Sequence, residues 1–84
     1  MIETGMYLNN NGKKYLVGAI KEYKEKLYAY LIDEENEFGF FVEVIEENEG
    51  CRFNRIKSES LVKLLILEFA DLKNVLKEEI ENGN

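Results

Sequence analysis

"KLYAYLIDEENEFGFFVEVIEENEG", residues Lys26–Gly50, decides the fold. Its first eight residues, Lys26–Asp33, alternate. Leu27, Ala29 and Leu31 fall on one side of an extended chain, and Tyr28, Tyr30 and Ile32 on the other. A strand that is apolar on both faces is central in its sheet or covered by a helix. "EENE" (Glu34–Glu37) turns the chain into a second strand, Phe38–Glu46. In that strand Phe38, Phe40, Val42 and Val44 share a wholly apolar face, which is expected to point into the core. Gly39, Phe41, Glu43 and Ile45 share a mixed face. "ENEG" (Glu47–Gly50) is the next turn.

Upstream, "TGMYLN" (Thr4–Asn9) reads as a first strand and Lys13–Ile20 as a second, with "NNNG" (Asn9–Gly12) as the hairpin turn between them. Asn and Gly suit that turn because both tolerate positive φ. The polar Lys21–Glu25 reads as a connection. Downstream, Cys51–Lys57 is a last, less regular strand, in which Phe53 and Ile56 have opposite parity, so that one is exposed or a bulge intervenes. The period then changes. Leu61, Leu65, Phe69, Leu72, Leu76 and Ile80 recur every three or four residues and lie on one helical face. Ser58 or Ser60 supplies the N-cap hydroxyl. A helix over 59–81 is about 34 Å long, longer than the roughly 20 Å of a six-residue strand. Its second half can therefore overhang the sheet, and Asp71 could cap a second piece after a break near 70–71. "LVKLLIL" (Leu61–Leu67) is apolar nearly all round and could be a buried strand, but the period continues beyond it and favours helix. The expected fold class is α+β, in one domain spanning 1–84. An antiparallel meander of about five strands (1–57), able to curl toward a small barrel, carries a C-terminal helix (58–81) on one face.

The chain has 84 residues, 11 Lys and Arg against 17 Asp and Glu, and a net charge of −6. With 45% hydrophobic residues it can build a core without disulfide or metal. Between Asp33 and Glu49 stand eight acids and no Lys or Arg, so the remaining nine acids face all eleven basic residues. The acidity is local. A chain without a basic footprint is not expected to bind nucleic acid or anionic membrane directly. No basic-then-apolar opening and no run of about 18 apolar residues occur, so a cytoplasmic location is expected. The single cysteine, Cys51, cannot form an internal disulfide and agrees with that expectation.

The residue inventory argues against catalysis and against cofactors. Histidine is absent, and with it the commonest general base. Cys51 follows an acidic turn that disfavours its thiolate. Paired carboxylates are plentiful, but they sit in turns where solvent keeps their pKa values ordinary. Asp33, Glu35 and Glu37 alternate like the first ligands of a calcium loop. That loop needs Gly at its sixth position and Glu at its twelfth, where Phe38 and Val44 stand here. Zinc spacing is impossible with one Cys and no His.

Two constellations are left. The first is an acidic lobe, Asp33, Glu34, Glu35, Glu37, Glu43, Glu46, Glu47 and Glu49, with Tyr30 and Phe41 as aromatic anchors. It reads either as a solvated hairpin guarded by charge or as a surface that binds a basic protein partner. The two acidic turns fall at opposite ends of one strand and are joined only through Glu43. The second constellation is the helix end with Leu72, Val75, Leu76 and Ile80, either packed on its own sheet or forming a homodimer contact.

"NNGKKYLVGAI", "EYKEKLYAYLIDEENEFGFFVEVIEENEG" and "RIKSESLVKLLILEF" occur in that order over roughly residues 9–69. This order resembles the small acidic β-meander proteins of unknown function common in Firmicutes and their phages, with a Gly-Lys-x-Tyr strand, a Tyr-x-Tyr-Leu strand, acidic turns and a closing helix. The resemblance carries no catalytic residues. It implies a non-enzymatic, protein-binding role, in phage-borne members an inhibitor of host defence by analogy with anti-CRISPR proteins, which would occupy a basic surface of a nucleic-acid-binding protein inside a bacterial host. The alternative expectation is a housekeeping accessory or structural protein that dimerises through its helix.

Overall fold

Turn chemistry sets the meander. In the computed structural model, which describes residues 2–82 and the side chains of residues 2–70, Asn11 and Gly12 take φ values of 52° and 80°. They form the two-residue hairpin turn between β1 (Tyr7–Asn10) and β2 (Lys13–Tyr23). Lys24 and Glu25, at φ 49° and 67°, close a second tight hairpin into β3 (Lys26–Asp33). A four-residue turn leads to β4 (Phe38–Glu47), and Asn48–Glu49 lead to β5 (Gly50–Arg55). The strands form one antiparallel sheet in the order β1-β2-β3-β4-β5, curled into a half-barrel, with β3 at its centre. The C-terminal segment is a single helix, α1 (Glu59–Asn82), which runs across the 70–71 position and includes Leu61–Leu67.

The first strand starts at Tyr7 rather than Thr4. Thr4 and Gly5 form a turn, although Gly5 N–H still reaches Val17 C=O at 2.8 Å. The stretch read as a connection, Lys21–Glu25, is mostly strand. β2 continues to Tyr23 because Lys21, Glu22 and Tyr23 pair with Tyr28, Leu27 and Lys26, and because Lys21 has a use on the helix side. Its Nζ donates to the Glu68 carbonyl at 2.7 Å and lies 3.5 Å from the Glu68 carboxylate. A bulge between Val17 and Ala19 places Gly18 as the extra residue.

Two apolar clusters lie on the two faces of the sheet. On the inner face Val17, Ala29, Leu31, Val42 and Val44 are buried together with Ile2, and Tyr15, Phe40 and Phe53 pack around them. Among the described residues none of α1 belongs to this cluster, and the N-terminal Ile2 packs within it. On the outer face Tyr28 and Phe41 are buried against Leu65 and Phe69 of α1. Phe41 and Phe69 meet edge-on with ring centroids 5.0 Å apart. The expected core face of β4 is core in Val42 and Val44, whereas Phe38, at the strand end, is 42% exposed. The parity conflict between Phe53 and Ile56 resolves without exposing either. Phe53 joins the inner cluster, β5 ends at Arg55, and Ile56 turns under the helix.

Ser58 caps the helix. Its carbonyl accepts from Val62 N–H at 2.9 Å, and its hydroxyl accepts from Leu61 N–H at 3.4 Å. Of the predicted helical stripe, Leu65 and Phe69 are buried and Leu61 is half-buried. Leu72, Leu76 and Ile80, and the proposed contact residue Val75, lie outside the described side chains.

Candidate functional site

The acidic residues divide into two groups by topology. Antiparallel order puts the β3–β4 turn at the same end of the sheet as the Asn11–Gly12 turn. The β4–β5 turn lies at the other end, about 30 Å away along ten residues of β4. At the near end Glu34, Glu35 and Glu37 are exposed, and Phe38 is exposed beside them. Among the described residues none of the three glutamates is ion-paired. At the far end Glu46, Glu47 and Glu49 are exposed, and Glu47 lies 3.7 Å from Arg52. Glu43, the link between the groups, is half-buried and 3.9 Å from Lys26.

Three residues expected on a binding surface are elsewhere. Asp33 is 2% exposed and holds the β3–β4 turn together. Its Oδ1 accepts from Asn36 N–H at 3.1 Å, and its Oδ2 accepts from Asn36 Nδ2 at 2.9 Å and from Lys13 Nζ at 3.2 Å. The Asn36 side chain, with the Asn36 amide and Lys13, holds the Asp33 carboxyl below its ordinary range against the opposing effect of burial. The same contact raises Lys13. Phe41 is 8% exposed beneath α1 because its parity on β4 is that of the helix-covered face. Tyr30 is half-buried, its ring 5.0 Å from Phe41 and lying across Gly39 of the neighbouring strand. The Tyr30–Gly39 contact escaped the sequence reading, although a glycine inside a strand is the signal for such a close approach.

No match is found to any protein-family model, curated protein or solved structure. The geometry alone therefore characterises the site. Among the described residues no cluster of three or more Cys, His, Asp or Glu could hold a metal. No helix among them is long and apolar enough to cross a membrane. Among the described residues a concavity of about 710 Å³, mainly apolar, lies between α1 and the outer face of the sheet. Ala19, Ile32 over Gly18 and Tyr30 over Gly39 form its floor, Val62 and Ile66 form its helical wall, and Arg55 also lines it. It adjoins a shallow recess in which Tyr30, Ile32 and Gly39 recur beside Glu34, Glu37 and Phe38. Glu34 and Glu37 thus stand at the end of a mainly apolar trough. The far-end acids line neither depression.

Proposed function

We propose that this chain is a non-enzymatic protein-binding module that presents its β3–β4 turn to a basic surface of a partner protein. The observation that carries this reading is the composition of that turn: Glu34, Glu35 and Glu37 are exposed without ion-pair partners among the described residues, and Phe38 is 42% exposed next to them. Unpaired charge steers encounter and selects partners, and an adjacent aromatic side chain provides the desolvated contact that gives affinity. The far-end trio is a weaker candidate because Glu47 lies 3.7 Å from Arg52.

Basic surfaces of the required kind belong above all to proteins that bind nucleic acid. The partner class is therefore a nucleic-acid-binding protein. In the most specific form of the proposal, resting on the resemblance to phage-borne small acidic proteins, this chain is an inhibitor that occupies the nucleic-acid site of a bacterial defence protein.

Affinity capture from bacterial extract tests the reading, with Glu34, Glu35 and Glu37 replaced together by Gln in one variant and Glu46, Glu47 and Glu49 in another. Wild type and the second variant should retain basic nucleic-acid-binding proteins and release them as salt rises through a few tenths molar, where the Debye length falls to about 5 Å. The first variant should lose them while keeping its far-UV circular dichroism. Retention by the first variant equal to wild type overturns the proposal.

A further inference from the structure

The groove on the outer face exists because the helix is held at one place and the sheet lacks side chains at another. Leu65 and Phe69 are fixed on Tyr28 and Phe41, so α1 covers the middle of β3 and β4. Toward Ile32 and Gly39 the helix covers less, and Ile66 is 52% exposed there while still lining the groove. The floor stays low for two reasons. Gly18 sits in the β2 bulge, where an added Cβ would come within 2.8 Å of Ile32 Cδ1, and Gly39 carries the Tyr30 ring across it.

One rim of the groove is backbone. β4 and β5 pair from Val42–Arg55 onward, and Ile56 N–H donates to Phe41 C=O at 2.9 Å, after which β5 leaves the edge. Peptide groups alternate in direction along a strand, so Gly39, two residues before Phe41, turns its N–H and C=O toward the same edge, beyond the last β5 pair. An edge of this kind accepts another extended chain, whose main chain pairs with it while alternate side chains enter the adjacent pocket. A hydrocarbon chain could fill the trough but would leave that edge unpaired. The recess at the open end of the trough carries Glu34 and Glu37, while Arg55 lines the trough itself with its guanidinium 4.6 Å from the Phe40 ring centroid, so the basic residue of an occupant belongs at the recess.

We infer that the groove between α1 and the outer face of the sheet receives an extended segment of the partner protein, its apolar side chains between Ile66 and the floor that Ile32 and Tyr30 make over Gly18 and Gly39, and a Lys or Arg at Glu34 and Glu37. This rests on the acidic-turn reading above and adds to it the chemistry of the bound segment: apolar residues at alternate positions, flanked on one side by a basic residue.

The test uses a displayed library of random dodecamer peptides selected on the wild-type chain, with the enriched peptides then titrated while amide chemical shifts are followed. Enriched peptides should share alternating apolar residues beside a Lys or Arg, and should move the amides of Gly18, Ala19, Gly39, Val62 and Ile66. Ile66→Ser, at a position exposed enough to leave the fold intact, should weaken them by about tenfold, in keeping with truncation of a central anchor. Ile66→Gln, of nearly native volume, should act in the same direction. Glu34→Gln with Glu37→Gln should weaken them severalfold and reduce the salt dependence. Unchanged affinity in both Ile66 variants, with weakening in the Gln pair, overturns the groove and leaves the acidic-turn reading standing. Unchanged affinity in the Gln pair overturns both. A consensus without a basic residue, decanoate moving the same amides equally in wild type and the Gln pair, or a dimer mass in light scattering would each overturn the inference in favour of another occupant.

Discussion

Gly39→Ala should destabilise this protein, and should do so only while Tyr30 is present. Alanine normally improves on glycine inside a strand by roughly 0.5–1 kcal/mol, because the unfolded chain loses less entropy. Here a Cβ at residue 39 would run into the ring and hydroxyl of Tyr30, which lies across the glycine from the adjacent strand. The ring can yield only toward the groove that it lines, because it packs on Phe41 with centroids 5.0 Å apart, and Phe41 is itself held by Phe69. Forcing a side chain out of such packing costs about 1–3 kcal/mol. The net effect in the wild-type background is then a loss of up to about 2.5 kcal/mol, centred a little above 1 kcal/mol. For a domain of this size the central value is a drop in Tm on the order of 5–10 °C. In a Tyr30→Ala background the obstacle is gone, and Gly39→Ala should be neutral or stabilising by up to about 1 kcal/mol. Urea unfolding of the four proteins of the cycle, followed by far-UV circular dichroism, measures the coupling directly, with about 1–3 kcal/mol expected. The same loss in both backgrounds, additive to within about 0.4 kcal/mol, would show that Tyr30 does not lie on Gly39 and would refute the reasoning.

Three further perturbations separate neighbouring residues. Phe41→Ala should cost about 3–5 kcal/mol as a buried aromatic truncation, whereas Phe38→Ala, two-fifths exposed, should stay within about 1 kcal/mol. Equal urea midpoints for the two would sink the placement of α1 over Phe41. Because the folded Asp33 carboxyl is held below its unfolded pKa, its contribution to stability is full above about pH 4 and fades as pH falls through the lower folded value. Asp33→Asn should therefore lower the Tm at pH 7 and flatten its decline in acid, and a parallel pH profile for the two proteins would contradict the assignment. The Lys24–Glu25 turn holds two non-glycine residues at positive φ, where Asn11–Gly12 uses the residues suited to that geometry. Lys24→Asn with Glu25→Gly should raise stability by about 1 kcal/mol, since left-handed backbone costs roughly that much at an ordinary residue. An unchanged or lower urea midpoint would argue against the tight turn.

Much of the architecture was legible because it depends on local periodicity. Alternation in Lys26–Asp33 and Phe38–Glu46, a three-to-four repeat from Leu61, and turn residues at Asn11–Gly12 each act over a few neighbours, and each gave the right element. Boundaries failed where a distant partner decides them. Nothing local in Lys21–Tyr23 shows that Glu68 will receive Lys21, so a polar strand end looked like a loop.

The candidate site was less legible for the same reason. Sequence located the acids and their separation into two turns, because a meander fixes which turns share an end. It could not tell that Asp33 bonds inward to Asn36 and Lys13 while Glu34, Glu35 and Glu37 stay outside, since that depends on which carboxylate meets a donor across the β1–β2 hairpin. Nor could it tell which face of β4 the helix covers. Both faces carry large apolar side chains, and only the placement of Leu65 and Phe69 on Phe41 buries one side chain that had looked like a binding anchor and leaves an open groove beside it. Composition and period determine which groups can be buried or charged. Contacts between residues far apart in the chain decide which of them meet, and so which remain free to meet something else.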